Sequence, residues 1–355
     1  MNIIYHLKRI LAENELFIVI FIFGFFSMLA DFLSDIEENK YAAIIRFIGL
    51  AAFVLVFGGY WILNKHHEPI MVPIMFTEDN DKKASRNMFA AFINSNKKLN
   101  SHSKLLEKIS RIKSEDLIIR LDANPRNSSD SKDWVSAWNE LVREWEDDID
   151  RELTDHPLSN EGYCYHIFPH IVLPLSFALG ATINLRKSLI LYHYQNSNTF
   201  HKVIDLTNPR SVSSQSEDEF IEKVLSFKTD PENFNDLKRG KKLILHIIIS
   251  ARHPVNFQLH DEHQTASNAA IVYASDLSPN ENWLPYIQEI ITIAKPVINL
   301  YEKVDICLIC PSAIAFALGM AFSRNGSIEV CHYCCDGKYR PVFPLAEIEQ
   351  KLHFS

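Results

Sequence analysis

The chain contains one stretch twice, and this repeat determines the fold that the sequence predicts. Residues 316–345 read FALGMAFSRNGSIEVCHYCCDGKYRPVFPL, and residues 177–206 read FALGATINLRKSLILYHYQNSNTFHKVIDL. The two segments align without a gap at a constant offset of 139 positions (316 minus 177). The matches at this offset are Gly180 with Gly319, Ser188 with Ser327, His193 with His332, Tyr194 with Tyr333, Val203 with Val342, and Leu206 with Leu345. Such a run of matches at one offset indicates a structural unit present in two copies.

Both copies alternate strand and helix patterns, which is typical of an α/β fold. Apolar runs predict strands over residues 70–76, 116–122, 163–168, 188–195 and 200–206 in the first copy, and over 242–250, 269–275 and 304–310 in the second, before the strand pair of the quoted segment. Helices are predicted over residues 81–98, 133–149, 173–184 and 282–298. The sequence therefore predicts two fused Rossmann-like units of mostly parallel strands. Such sheets bind ligands at the carboxyl ends of their strands.

A polar segment separates the two copies. We expect the first half to cover residues 66–212 and the second half residues 238–355, with a linker and one short helix over residues 213–237. Two similar sheets side by side bring two ligand-binding edges together. The sequence therefore predicts one wide pocket of approximate twofold symmetry at the seam between the halves.

The first 65 residues differ from the rest in hydropathy. Residues 14–34 and 46–64 each hold an apolar run close to the roughly 20 residues that span a bilayer core, and a short polar spacer separates them. This pattern predicts a transmembrane helical hairpin, and a pair of helices buried in a soluble fold is the alternative. Basic residues precede the first span and follow the second, which favours a multi-pass protein with both termini in the cytoplasm.

Composition and charge exclude several classes of function. The chain has 355 residues, is 47% hydrophobic and carries a formal net charge of −8, so it lacks the basic surface that coating a DNA or RNA polymer requires. A small phosphorylated ligand stays possible, because it needs only a few well-placed donors. No Walker loop or G-x-G-x-x-G motif follows any predicted strand, so ATP or NAD binding of the usual kind lacks its residues.

All six cysteines lie at or beyond Cys164, and free cytosolic thiols are the expected state. Two C-x-x-C pairs, Cys307 with Cys310 and Cys331 with Cys334, suggest zinc by their spacing. Because positions three apart on a strand point to opposite faces, we favour buried core thiols over a metal site. No acid, base and nucleophile converge at one predicted strand end, so the sequence predicts no catalytic residues. Chemistry through Cys334 and His332 is the alternative.

Candidate ligand-binding residues are the polar side chains predicted at the carboxyl ends of the strands. They offer phosphate donors, aromatic faces and helix amino ends, and the alternative for each is a solvated loop side chain. They are Thr77, Asn80, Lys82, His170, Tyr194, Gln195, Arg252, His253, Ser312, Lys338, Tyr339 and Arg340.

The duplicated unit, with its FALG helices and its closing segment HYCCDGKYRPVFPL, resembles the SAVED domain, a fusion of two CARF-like units. The resemblance covers residues 69–355. It implies a sensor of cyclic oligonucleotides in CBASS anti-phage systems, with a cyclic trinucleotide favoured, a cognate nucleotidyltransferase as its source, and no cofactor. The predicted hairpin stands where well-known members of the family have a nuclease or TIR domain. This arrangement is similar to the transmembrane class of SAVED effectors.

The resemblance therefore predicts a non-enzymatic effector of the bacterial inner membrane. Ligand binding would make the chains associate into a homo-oligomer, and their hairpins would then disrupt the lipid bilayer. Two alternatives stay open at this point. One is a membrane-bound hydrolase of cyclic oligonucleotides that uses the region of His332 and Lys338, and the other is a ligand-gated regulator of a partner protein.

Overall fold

A computed structural model of the chain describes residues 48–49, 69–78, 82–109, 112–121, 125–128, 130–146, 149, 151, 153, 162–182, 188–195, 199–207, 226–230, 240–250, 267–323, 327–334 and 337–347. The chain divides into two compact units, Met1–Glu68 and Pro69–Ser355. The predicted hairpin over residues 14–34 and 46–64 lies outside the described residues, apart from Ile48 and Gly49. Within the described ranges, no helix has the length and apolar character needed to cross a bilayer.

The second unit is a mixed α/β structure with two sheets in which most strand pairs are parallel. The described strands are β1 (Ile70–Thr77), β2 (Ile118–Arg120), β3 (Tyr163–His170), β4 (Ser188–Gln195), β5 (Thr199–Leu206), β6 (Ser226–Asp230), β7 (Gly240–Ile249), β8 (Ser267–Tyr273), β9 (Tyr301–Ile309), β10 (Ile328–Tyr333) and β11 (Tyr339–Pro344). The described α-helices are α1 (Lys82–Ser95), α2 (Lys97–Ile109), α3 (Ser131–Trp145), α4 (Leu173–Thr182), α5 (Leu284–Ile298) and α6 (Ser312–Phe322).

The two sheets repeat one strand order. The first runs β2-β1-β3-β4-β5, and the second runs β11-β10-β9-β7-β8-β6, so that β7 to β11 correspond to β1 to β5 with one further strand at the edge. The correspondence holds residue by residue, because Tyr165 pairs with Leu189 in the first sheet and Val304 with Ile328 in the second, both shifted by 139. The closing antiparallel pairs also have their irregularity at equivalent points, at Leu191/Tyr192 and at Val330/Cys331.

The repeated FALG segments form the contact between the halves. Helices α4 and α6 cross so closely that a Cβ on Gly180 would lie 1.9 Å from the carbonyl oxygen of Phe316, and a Cβ on Gly319 would lie 1.9 Å from that of Phe177. Both helices are buried over almost their whole length. The repeat therefore places two glycines where only a residue without a side chain allows the two backbones to meet.

Hydrogen bonds from two serine side chains connect the starts of the same two helices. The Ser176 hydroxyl donates to the carbonyl oxygen of Ser312 at 2.8 Å, and the Ser312 hydroxyl donates to that of Ile171 at 3.3 Å. These bonds cross from one half to the other in both directions. The loops after β3 and β9 are thus held next to each other at the carboxyl ends of both sheets.

The structure differs from the sequence-based expectation at three places. The helix predicted over residues 81–98 ends at Ser95, because the side chain of Asn96 accepts from the backbone amides of Lys98 and Leu99 and begins α2. Strand β3 continues through Pro169 to His170. The segment predicted as a linker over residues 213–237 contains strand β6, which pairs antiparallel with β8.

Candidate functional site

A cavity of about 570 Å³ lies at the carboxyl ends of β9 and β10, in the second half of the unit. The first half contributes to its wall through the loop that follows β3 and through the turn before α3. The lining residues are Arg126, Asn127, Ile171, Val172, Leu173, Pro174, Leu308, Cys310, Ser312, Cys331, His332, Tyr333, Cys334 and Gly337. Its volume falls within the range of about 300–1,000 Å³ that is common for small-molecule sites.

A smaller cavity of about 150 Å³ occupies the equivalent place in the first half. It lies at the carboxyl ends of β3 and β4, and the start of α6 from the second half completes it. Its lining residues are Phe168, Pro169, His170, Tyr192, His193, Tyr194, Phe200, Ser312 and Ala313. Ser312 lines both cavities, so the two sites meet where α4 and α6 begin.

Two equivalent strand positions hold bulky rings in the first half and thiols in the second. Phe168 and Tyr192 stack at 4.4 Å between ring centroids, and both pack against Phe92 of α1. At the offset of 139, the residues that match this stacked pair are Cys307 and Cys331. Of these two cysteines, Cys331 lines the large cavity, and Tyr339 packs against the cluster that contains both.

The large cavity has a cation at its rim. The Arg126 guanidinium forms an ion pair with Glu78, whose side chain is almost buried, while the side chain of Arg126 is 59% exposed. Arg126 lies in a short 3₁₀ turn, Pro125–Asn127, that belongs to the first half. A guanidinium that is anchored by a carboxylate and still open to solvent can also donate to a phosphate.

Two Trp–His contacts cross between the halves in opposite directions. The Trp134 ring, at the start of α3, lies 4.7 Å from the His332 ring at the end of β10. The Trp283 ring, beside the start of α5, lies 4.9 Å from the His193 ring at the end of β4. The two histidines match at the offset of 139, and each contacts the tryptophan of the other half.

Both histidines of these contacts favour the neutral form. Burial lowers the pKa of His193 to about 4, with smaller contributions from the nearby His201 and His170. Burial also lowers the pKa of His332, and the charge of Arg126 acts in the same direction. A hydrogen bond to the backbone of Arg126 partly opposes that shift. His193 and His332 therefore favour the uncharged form at neutral pH.

Two of the cavity thiols, Cys310 and Cys331, favour the protonated form in this environment. Burial raises the pKa of Cys310 to about 12. The pKa of Cys331 is raised well above its ordinary value by its interaction with the neighbouring Cys307 thiol and by burial. Within the described residues, no group of three or more histidine, cysteine or acidic side chains is placed to hold a metal ion. A thiol in this state is a poor nucleophile, because the thiolate is the reactive form.

Of the residues predicted from the sequence, His170, Tyr194 and Ser312 line the cavities. Thr77 is fully buried at the end of β1, and Tyr339 packs edge-on against His246 at 5.6 Å. Thr77, Lys338, Tyr339 and Arg340 are not among the residues that line either cavity. Lys82 lies on α1 and Gln195 lies on β4, and the structure does not describe their side chains. Asn80, Arg252 and His253 lie outside the described residues. The binding role of these residues stays a prediction.

The sequence analysis did not select Arg126, His332 or Tyr333 as ligand-binding residues. The repeated His-Tyr dipeptide was a usable signal for the last two, because it marks the same strand end in both halves. Arg126 had no such signal, since it comes from a loop before α3 and reaches the second half only in the folded chain. Tyr333 is 55% exposed at the cavity mouth, where its ring offers a stacking surface.

The chain is similar to SAVED/CARF-domain receptors of known structure. The Acinetobacter baumannii Cap4 SAVED/CARF-domain receptor with the cyclic trinucleotide 2′3′3′-cAAA matches 86% of this chain at 12% identity and a TM-score of 0.44. The Moraxella osloensis Cap4 receptor matches 79% at 14% identity and a TM-score of 0.39. The chain spans 60% of the length of the first protein and 50% of the second. No protein-family model matches this chain, and no curated protein sequence matches it.

Proposed function

We propose that this chain is a membrane-anchored effector of a CBASS anti-phage system that binds a cyclic oligonucleotide across the seam between its halves. The observation that carries the proposal is the pair of cavities at equivalent strand ends, which meet at Ser312. A ring of nucleotides presents a similar group to each half of a pseudo-twofold site, whereas a single mononucleotide would occupy only one half. A cyclic trinucleotide is the favoured ligand, as in the Acinetobacter receptor to which the chain is similar.

The chemistry of the large cavity suits a nucleotide. Arg126 supplies a guanidinium for a phosphate, and the exposed Tyr333 ring supplies a surface on which a base can stack. The wall of Ile171, Val172 and Leu173 is apolar and favours the flat face of a base over water. The net charge of −8 makes binding of a DNA or RNA polymer unfavourable, so we propose a small ligand.

We propose recognition without a covalent step. Two of the thiols that line the cavity favour the protonated form, because burial raises the pKa of Cys310 to about 12 and the Cys307 thiol and burial raise that of Cys331. The neutral His332 already uses Nε2 in a bond to the backbone of Arg126. A nucleophile, its base and a group that stabilises the leaving oxygen do not come together among these side chains. The hydrolase alternative therefore has less support than the receptor.

The output step of the proposal rests on the apolar pattern of residues 14–34 and 46–64. Two helices enclose no pore, so damage to a bilayer requires several chains. A ligand that binds an associated form more tightly shifts the population toward that form by mass action. We propose that ligand binding makes the chains oligomerise in the inner membrane, with both termini in the cytoplasm, and that the clustered hairpins then disrupt the bilayer.

A titration in liposomes tests the proposed function. Liposomes that contain the full chain and a trapped dye receive cyclic di-, tri- and tetranucleotides, and the matched linear oligonucleotides serve as controls. We expect one cyclic ligand to bind and to release the dye, and the linear forms to do neither. Binding without dye release would favour the regulator of a partner protein, and recovery of linearised ligand would favour the hydrolase. Failure of every cyclic ligand to bind would contradict the proposal.

A further inference from the structure

His332 is fixed in one tautomer by a backbone hydrogen bond. Its Nε2 lies 2.8 Å from the carbonyl oxygen of Arg126. A carbonyl oxygen can only accept, so Nε2 carries the proton and donates it. In the neutral ring the other nitrogen, Nδ1, is then an acceptor. Among the residues that the structure describes, no hydrogen bond to Nδ1 of His332 is present.

The surroundings of His332 keep the ring in this orientation. Its ring packs on Trp134, which is completely buried and donates from Nε1 to the carbonyl oxygen of Ser128 at 3.1 Å. Turning the imidazole over would put Cε1 in the place of Nε2 and so break the hydrogen bond to the carbonyl oxygen of Arg126. Burial and the Arg126 charge also lower the pKa of His332, so the ring stays neutral.

We propose that His332 selects the nucleobase that enters the 570 Å³ cavity by accepting a hydrogen bond from it at Nδ1. The inference rests on the proposed function. It adds that the larger cavity recognises the nucleobase of the ligand. A phosphate oxygen has no proton to donate at neutral pH, so Nδ1 does not hold the phosphate, which pairs with Arg126. A base with an amino group or a ring N–H directed at Nδ1 satisfies it, and a base without one leaves it unpaired.

The equivalent histidine of the first half provides an internal control. His193 also lies at a strand end and contacts the tryptophan of the other half. Its cavity holds only about 150 Å³, and Phe168 and Tyr192 line it. Because this cavity has about a quarter of the volume of the larger one, we expect the recognised base to enter the larger cavity and His193 not to discriminate between bases. The two halves therefore recognise the cyclic ligand differently, although the fold is duplicated.

The test measures the affinity of the full chain in detergent for cyclic di-, tri- and tetranucleotides of each base by calorimetry. The tightest ligand is then compared with its analogue that lacks base N–H donors: purine for adenine or guanine, pyrimidin-2-one for cytosine, or N3-methyluracil for uracil. We expect the wild-type chain to bind the parent roughly three- to tenfold more tightly, as for one neutral hydrogen bond. We expect His332→Phe to bind both equally, and His193→Phe to discriminate as the wild type does.

Two outcomes would overturn the inference while the proposed function stands. One is a wild-type chain that binds a cyclic ligand but does not distinguish it from the analogue. The other is a folded His332→Phe chain that discriminates as before. If His332→Phe does not fold, ¹⁵N spectra of the labelled wild-type chain decide, because the inference requires Nε2–H in the complex and a shift of the Nδ1 signal on binding. An Nδ1 that is protonated in the complex would contradict it. Absence of binding to any cyclic ligand contradicts the proposed function itself.

Discussion

Gly180 and Gly319 meet the opposite helix in the same way: each has the carbonyl oxygen of the other helix's phenylalanine 1.9 Å from the point where a Cβ would lie. Two positions that lie 139 residues apart in the sequence thus form equivalent parts of the contact between α4 and α6. The loops after β3 and β9, which contribute to the cavity walls, lead into these helices, so the crossing helps to fix the geometry of the candidate site. A change at either glycine should therefore affect both the stability of the unit and the binding of its ligand.

Gly180→Ala should destabilise the unit Pro69–Ser355 by roughly 3 kcal/mol or more, because a buried backbone contact has no room for a methyl group. Urea unfolding of this unit measures the loss. Ala321→Ser is the matched control, since it adds one heavy atom to the same pair of helices at a half-buried position. We expect the control to stay within about 1 kcal/mol of the wild type. Equal stability of Gly180→Ala and the wild type would show that the helices do not cross as described.

Trp134→Phe should weaken ligand binding more than Trp283→Phe does. Both changes remove an indole N–H that donates to a backbone oxygen, of Ser128 and of Ser278 respectively, so the two should cost similar stability, about 1 kcal/mol. Only Trp134 supports the histidine of the 570 Å³ cavity. Thermal melts and calorimetry on both variants separate the two effects. An equal loss of affinity in both would indicate that the cavities contribute equally.

Arg126→Gln should lower the affinity for a cyclic oligonucleotide by roughly ten- to hundredfold, because one charge-assisted bond to phosphate contributes about 1.5–3 kcal/mol. Arg86→Gln is the control, since Arg86 is also exposed and paired with a carboxylate, Glu115, but lies away from both cavities. Calorimetric titration of the two variants measures the difference. An affinity of Arg126→Gln equal to that of Arg86→Gln would remove this guanidinium from the site.

The unit should lose stability in mild acid because of His166. This ring is buried and its Nδ1 lies 2.9 Å from the Tyr192 hydroxyl, and burial, followed by the charge of Lys202, lowers its pKa from 6.5 to about 4. The unfolded chain therefore binds more protons between these values. The stabilisation is complete above about pH 6.5 and is lost as pH falls toward about 4.

We expect the titration of His166 alone to lower the free energy of unfolding by roughly 2 kcal/mol between pH 7 and pH 5. Urea unfolding of the wild-type unit and of His166→Gln at both pH values measures it. The variant should be less stable at pH 7 but should lose less on acidification. His193, whose pKa is also lowered to about 4, adds to the remaining dependence in both proteins. An identical pH dependence of the two proteins would contradict the account.

The duplicated α/β fold was predictable because backbone constraints repeat in the sequence. The FALG segments and the paired strands after them each impose the same local structure twice, and a tryptophan stands near the start of both α3 and α5. The break at Asn96 was also visible in principle, since asparagine is a strong helix N-cap. It was missed because the apolar pattern continues through residues 81–98. Strand β6 had no clear pattern within a polar segment.

The candidate site was less predictable, because it forms from residues that are distant in sequence. Of the residues predicted at strand ends, His170, Tyr194 and Ser312 line the cavities, and their binding of a ligand stays a prediction. Arg126 reaches the cavity of the other half only through the packing of α3 against β11. The size of each cavity depends on which rings pack behind it, and this is a property of three-dimensional neighbours such as Phe92 and Tyr192.

Hydrogen–deuterium exchange of the full chain, with and without its tightest cyclic oligonucleotide, tests the central claim that one ligand is bound by both halves. The account predicts slower exchange in the first half, at residues 125–128 and 171–174, and also in the second half, at residues 308–312 and 331–334. The linear oligonucleotide should leave all four segments unchanged. Protection confined to one half, or protection of the amino ends of the strands instead, would contradict a ligand site at the seam.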